Sequence, residues 1–362
     1  MKEIKDIVAA YKNLKNSNIP IALGLVINIE GSSYRRTGAR MLIREDGIYT
    51  GGISGGCIEG DALKKAQLAM MNKKPVVVTY DTSDENDKSI GVSLGCEGII
   101  TIQILPIDKS DHNNPVEQLI NCLQNREPKV LITVVKAMDE INYTAGQVIL
   151  YKSDNERHIK SLPITIHQEV SKVISDKQSI LKSYPSSTLF IEYMPPSIQL
   201  VLLGSNYDVY PLLRAASNLG WDSVVVANVN RLNNAIRQEA GNIVGDLEEL
   251  TIDAYTVAVI MSHDYHNDLQ NLRKAIKTTL PYIGLLGPTA RRIKILNDLE
   301  HDLSKSDHQR IFGPAGLDIG ADQPEEIAIA IIAEIIAVMR SRQGTSLKYR
   351  EGPIYSAIPQ NN

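Results

Sequence analysis

The 362-residue sequence predicts an α/β protein of two domains, an N-terminal α/β domain followed by a domain built on a doubly wound parallel sheet. Three observations predict it. From Ile198 onward, apolar strand-like runs alternate with helical patterns, the arrangement that buries a parallel sheet between layers of helices. Two successive prolines in "MPPS", Pro195 and Pro196, separate that alternation from a more strand-rich first half, because such a pair fits neither a helix interior nor a central strand. The balance of 43% hydrophobic and 22% charged residues is that of a globular chain long enough for two cores.

Each element has its own signal. "MKEIKDIVAAYKNLKNSNIP" sets Ile4, Ile7, Val8, Tyr11 and Leu14 at helical spacing, an amphipathic helix and not the continuous apolar core of a signal peptide. "IPIALGLVINIEG" and "ARMLIREDGIYTGG" are β-rich runs, with Asp46-Gly47 turning between strands. After the glycine-rich stretch "GGISGGCIEGD", residues 51 to 61, Asp61 is the expected cap of a helix reaching about Asn72. "PVVVTYD" and "EGIITIQILPI" are strands around the polar loop "TSDENDKSIGVSLGC". A helix near Pro115 to Asn125 and strands "KVLITVVKA", "GQVILYK" and "TLFIEY" complete the first domain. Beyond the prolines come strand "IQLVLLG", helix "YDVYPLLRAASNLG" and strand "DSVVVANV". Strand "AYTVAVIMS" with helix "NDLQNLRKAIKTT", and "PYIGLLG" with helix "TARRIKILNDLEHDL", continue a Rossmann-like pattern. The last helix runs from about Asp322 to Ser341, with a D-x-x-E capping box expected at Asp322 and Glu325 and a stop at Gly344. The expected domains are therefore 1–195, of which 1–105 is the core and 106–195 the less patterned remainder, then 196–345, then a tail of 346–362.

Composition narrows the function. A formal net charge of -4 speaks against nucleic-acid binding, which needs clustered Lys and Arg on phosphates. The longest apolar run, Ile327 to Ala333, is far shorter than the ~20 residues of a membrane span, so a cytoplasmic protein is expected. Cys57, Cys96 and Cys122 form no CxxC pair, which suggests free thiols in a reducing compartment. Cys122 lies on the apolar side of a predicted helix and reads as a packing residue. Cys57 and Cys96 sit in glycine-containing loops beside strands, where separate segments can converge.

The second domain lacks the dinucleotide fingerprint. Of G-x-G-x-x-G only Gly204 remains in "GSNYDV", and Asn228 and Asn230 stand where an acid would hold the ribose. Asp208 in the first helical turn would repel a phosphate unless it serves as a cap. NAD(P) is therefore not expected as a cofactor. In the first domain, Gly51, Gly52, Ser54, Gly55 and Gly56 present N–H groups suited to an anion, at the start of a helix that carries Glu59. Arg35, Arg36 and Arg40 upstream could supply guanidinium forks for a phosphate. The same helix end favours a Cys57 thiolate facing a soft or redox-active centre. The alternative is a flexible turn, a buried thiol and surface arginines. In the second domain, His263 in "MSHDYHND" follows a strand, where open α/β sheets bind ligands, although Ser262 and Asp264 also fit a helix cap. His263 and His266 alone are a weak metal signal. Arg291 and Arg292 in "GLLGPTARR" begin a helix, as an anion site or as solvated side chains. "FGPAGLDIGADQPEE" packs three glycines and two prolines into 15 residues, a backbone specified for some close contact.

Taken in order, "GSSYRRTGARMLI", "GGISGGCIEGD", "LGCEG", "IEYMPP" leading into "LVLLGSN", "YIGLLGPTARR" and "GPAGLDIGADQPEEIAIAIIAEIIA" resemble the motifs of the XdhC/CoxI family of molybdenum-hydroxylase maturation factors. The resemblance covers both ends of the chain and leaves about 106–190 without a match. It implies a chaperone, not a turnover enzyme, that binds molybdenum cofactor (molybdopterin), shields it during sulfuration and passes it to an apo molybdenum hydroxylase such as xanthine dehydrogenase. A cysteine desulfurase and a second copy of the chain are further partners it implies. By that resemblance the anion beside the glycines is the pterin's phosphate or the molybdenum oxo group, Cys57 faces the metal, and Cys96, Gly204, Asn206, His263, Arg291 and Arg292 contribute to the ligand site. The chain departs from the family around Gly204 and after the second strand, where it keeps Asn206 but carries Asn228 and Asn230. The rival readings are an NAD(P)-dependent oxidoreductase using Cys57 or His263, and an unrelated nucleotide-binding regulator, which would leave the two glycine-flanked cysteines unexplained.

Overall fold

A computed structural model describes residues 1–56, 58–81, 98–138, 143–152, 165–351 and 354. Cys57, Cys96 and the polar loop before Cys96 lie outside the described residues. The chain forms two compact units, residues 3–196 and residues 197–362 together with 1–2.

In the first unit, helix α1 (Lys2–Leu14) leads into β1 (Ile21–Gly31), β2 (Arg40–Arg44) and β3 (Tyr49–Gly51), then α2 (Glu59–Asn72), β4 (Val76–Asp81) and β5 (Gly98–Pro106). These strands form a sheet in the order β3-β2-β1-β5-β4, antiparallel throughout. Its apolar face is covered by α2, whose Ala62, Ala66, Ala69 and Met70 recur at helical spacing and bury against Val26, Met41, Ile43, Ile102 and Ile104. After α3 (Pro115–Leu123), β6 (Lys129–Ala137) and β7 (Val148–Leu150) join β8 (Ile180–Tyr184) and β9 (Ser187–Met194) in a second antiparallel sheet, β7-β6-β9-β8. Helix α4 (Ile166–Asp176) packs Ile166, Val170 and Val173 on it. Leu25 and Ile27 of β1 meet Val135 and Phe190 of the second sheet, so this unit has a shared apolar interior.

The second unit is the expected parallel sheet. It contains β10 (Gln199–Leu203), α5 (Val209–Asn218), β11 (Asp222–Val226), α6 (Asn234–Glu239), β12 (Asn242–Val244), β13 (Thr256–Ile260), α7 (Tyr265–Ala275), β14 (Ile283–Leu285), α8 (Thr289–Asp298), α9 (Lys305–Arg310), β15 (Ile311–Phe312) and α10 (Pro324–Met339). The order is β12-β11-β10-β13-β14-β15, and every pair is parallel. The order in which strands are added therefore reverses between β10 and β13, which opens a crevice at the strands' carboxyl ends. Both faces are covered. Leu212, Leu213, Ile331 and Ile335 of α5 and α10 bury on one, Leu272, Ala275 and Ile295 of α7 and α8 on the other. No helix among the described residues is long and apolar enough to cross a membrane.

Two helix starts differ from the sequence expectation. Asp61 does not cap α2; its carboxylate accepts from the Tyr80 hydroxyl at 2.9 Å, and Ile58 occupies the cap position without a side-chain bond. At α10 the capping box is shifted by one residue, to Gln323 and Glu326, whose carboxylate accepts from the N–H groups of Asp322 and Gln323. Pro324 explains the shift, since proline at the first helical position fixes where the helix begins.

Candidate functional site

The glycine stretch is folded around a carboxylate of its own. Glu59, the first residue of α2, is buried and reaches back to accept from the Ser54 N–H at 2.8 Å, the Gly56 N–H at 3.1 Å and the Ser54 hydroxyl. The Ser54 hydroxyl in turn accepts from the Ile58 N–H at 3.3 Å, and the Gly52 N–H donates to the Arg40 carbonyl at 2.8 Å. The N–H groups that suggested an anion cradle at Gly52, Ser54 and Gly56 are thus engaged internally. Gly51 is glycine for the same local reason: its φ is +85°, and a Cβ there would lie 2.3 Å from the Arg40 carbonyl oxygen. Gly55 packs against the Tyr34 ring. Gly56 is the exception, with φ +110° and nothing among the described residues within 4 Å of the position of an added Cβ.

The three arginines also divide. Arg40 is buried, and its guanidinium grips Glu192 with both terminal nitrogens while donating to the Gly38 carbonyl at 2.6 Å. It is an internal ion pair and not a fork for a phosphate. Arg35 is half-buried on Glu3, whose other oxygen accepts from the Arg40 N–H at 2.9 Å. Arg36 is exposed. Cys122, read as a packing residue, is buried in α3, and burial pushes its thiol up to about 12, which keeps it protonated and unreactive.

In the second unit, the crevice at the β10/β13 reversal is a cavity of about 960 Å³. Loops after β10, β13, β14 and β15 line it together with α10, so Asn206 and His263 meet there, whereas Gly204, Arg291 and Arg292 are not among its lining residues. Gly204 is glycine because a Cβ would lie 2.4 Å from the Met261 carbonyl oxygen on the neighbouring strand. Arg291 donates to buried Asp268 at 2.5 Å, and Asp268 accepts from the Ser262 N–H at 3.0 Å, which fixes the loop after β13. Arg292 packs beside Gly313. His263 sits at φ +60° and brings Nε2 to 2.5 Å from Oδ2 of Asp208.

Asp208, which looked like a helix cap or a phosphate repellent, makes no cap bond. It is a wall of the cavity instead. The glycine- and proline-dense stretch after β15 finds its close contact here, as Pro314 to Ala321 line the opposite wall. Its anchor was not readable from sequence: Glu334 of α10 accepts from the Gly316 N–H at 3.0 Å and from the Tyr282 hydroxyl at 2.6 Å. A glutamate inside an otherwise apolar helix is the available signal, since a half-buried acid needs donors. Among the described residues no cluster of His, Cys, Asp and Glu is grouped to hold a metal ion.

Two family models match the chain, the XdhC and CoxI family over residues 14–81 and the XdhC Rossmann domain over residues 200–335. Together they span more than half of it. The chain belongs to the XdhC and CoxI family. The glycine stretch falls inside the first match and the crevice inside the second. This XdhC/CoxI chain is 29% identical over 322 residues to a Bacillus subtilis (strain 168) protein named as a probable xanthine dehydrogenase subunit, covering 87% of this chain and 92% of that one. It is 22% identical over 315 residues to the molybdenum cofactor insertion chaperone PaoD of Escherichia coli (strain K12), covering 86% and 81%. The crystal structure of a xanthine dehydrogenase from Bacillus halodurans shares its fold with a TM-score of 0.72 at 28% identity, over 95% of this chain and 99% of that one.

Proposed function

We propose that this XdhC/CoxI chain is a maturation factor that binds molybdenum cofactor as cargo, protects it, and delivers it to an apo molybdenum hydroxylase of the xanthine dehydrogenase kind. The observation that carries the reading is similarity over 86% of this chain to a protein named as a molybdenum cofactor insertion chaperone, together with family matches that take in the glycine stretch and the crevice. The local chemistry supports it. Glu59 holds the loop in shape before any guest arrives, so the loop needs no guest to satisfy Ser54 and Gly56. Among the described residues nothing covers the Cβ side of Gly56, next in sequence to Cys57, the thiol proposed to meet the metal. A cysteine desulfurase is the proposed source of the cofactor's sulfur.

The test is to purify the protein from a host that makes molybdenum cofactor and to measure bound molybdenum and pterin. Cys57→Ala is expected to lose molybdenum and transfer competence without unfolding, whereas Cys122→Ala keeps both even if it melts earlier. Absence of molybdenum and pterin from the parent protein, with cofactor synthesis verified in the host, refutes the reading. Calorimetry showing micromolar binding of NAD or NADP would promote the oxidoreductase rival.

A further inference from the structure

We infer that the crevice of the second unit is a binding site for a flat, uncharged heterocycle that donates N–H groups, of the 2-amino-4-oxopyrimidine kind found in pterins and guanine, held by Asp208. The choice of a pterin among such rings rests on the proposed cargo; the ring chemistry rests on the crevice alone.

The site lies where the order of strand addition reverses, and its volume of about 960 Å³ is ample for a bicyclic ring. Leu212, Met261, Leu286, Ile327 and Ile331 supply apolar wall, suited to the faces of a ring. The ionisable residues among the described lining are Tyr207, Asp208, His263 and Asp318, with no Lys or Arg. Carboxylates without a guanidinium or ammonium repel a phosphate and attract a donor. The acceptor is specific. Asp208 has a side chain only 19% exposed, its Oδ2 is taken by His263, and its Oδ1 is buried with no hydrogen-bond partner among the described residues.

Buried acceptors are normally satisfied, so an orphaned carboxylate oxygen on a residue that lines the cavity is one a guest's donor would satisfy after a small turn of the side chain. His263 holds the carboxylate still, from a left-handed backbone conformation that is uncommon for a residue other than glycine. Asn206 gives one amide N–H to the Ser262 carbonyl at 3.0 Å, which orients its side chain and leaves the Oδ1 acceptor and the second N–H for a guest. The opposite wall is held in place through Gly316 by Glu334, which makes the crevice preorganised.

The experiment titrates the purified full chain with pterin, followed by its fluorescence, and separately with guanosine, NADH and inorganic phosphate. Saturable binding of pterin or guanosine is expected, with neither phosphate nor NADH displacing it, and the tighter of the two rings identifies the source. Asp208→Asn is expected to weaken ring binding about 10- to 100-fold, the loss of a hydrogen bond to a charged acceptor. His263→Gln should weaken it less, because it loosens the carboxylate without removing it. Should Asp208→Asn fail to fold, Ala321→Trp fills the crevice from its loop side and is expected to abolish binding. The inference is overturned if neither ring binds, if folded Asp208→Asn binds like the parent, or if phosphate competes. The proposed function fails differently: a chain that binds pterin through Asp208 yet never carries molybdenum keeps this site and loses that reading.

Discussion

Replacing Arg40 by Met separates an internal ion pair from a ligand contact. The Arg40 and Glu192 side chains are 3% and 5% exposed, and the guanidinium makes two bonds to the carboxylate and one to the Gly38 carbonyl. Removing Arg40 leaves the Glu192 carboxylate buried without its counter-ion, which typically costs about 3–5 kcal/mol. For a unit of this size each kcal/mol moves the melting temperature by roughly 2–4 °C, so Arg40→Met should melt about 6–20 °C lower. Glu192→Gln, which keeps an acceptor for the guanidinium, should cost about half as much. The double variant Arg40→Met with Glu192→Met should recover most of the loss, because two apolar side chains leave no buried charge. The assay is thermal unfolding by circular dichroism on all four proteins, with bound molybdenum measured on the folded fraction. Arg40→Met that melts within about 2 °C of the parent while losing cargo would refute the internal role and restore Arg40 as an anion ligand.

The other predictions concern the glycine loop, acid stability and the buried thiol. Gly51→Ala should destabilise by about 2–4 kcal/mol, since its Cβ would meet the Arg40 carbonyl, whereas the Cβ of Gly56→Ala meets none of the described residues and should cost about 1–2 kcal/mol of backbone strain while impairing cargo loading; equal melting temperatures for the two would count against this loop geometry. Burial alone would raise the Asp307 pKa, but the Ser304 hydroxyl and N–H and the Arg310 guanidinium outweigh it and hold the carboxyl at about 2. Its folded value is depressed, so its contribution, about 1–2 kcal/mol, is present above about pH 4 and lost as pH falls toward 2; the stability gap between the parent and Asp307→Asn, from denaturant titrations, should close over that window. Cys122 should resist iodoacetamide at pH 8 in the folded protein, by peptide mass spectrometry, and react once denatured; rapid native labelling would show that α3 opens.

The parallel domain is readable in the sequence because its central strands are short, mainly apolar runs such as "LVLLG", followed by helix-length segments. Strands β12 and β15 and helix α6 escape that reading, being three, two and six residues long, too short for any period to show. The antiparallel order of the first unit is not written in its runs of Val and Ile, which fix strands but not partners. For the site, glycine density marked both the 51–61 loop and the wall after β15, yet density does not say what comes close. At Gly51 it is the chain's own carbonyl, and at Gly204 it is the next strand. Charges are harder still. Arg40 stands beside two other arginines in sequence and invites a phosphate, but its partner is Glu192, 152 residues away, brought to it by the fold.

A Rossmann-type sheet does not by itself bring a dinucleotide, and in the proposed site charge placement argues against one. The site of a pyrophosphate is the N-terminus of the helix after the first strand, where glycines let the phosphates approach and the helix end favours negative charge. In this chain that position holds Asp208, already an anion, with Oδ2 on His263 and the cavity in front of it. The helix's favourable potential is therefore spent on a fixed carboxylate, and a phosphate brought to the same place would face that charge at short range with no arginine or lysine among the described lining residues to offset it. What the sheet retains is its geometry: a crevice at the reversal of strand order, apolar floor, rigid far wall. On the proposed reading, a carboxylate at its centre would turn the selectivity of that crevice from phosphates toward donors, so that the frame which elsewhere grips a cofactor by its anionic linker would here grip one by its ring.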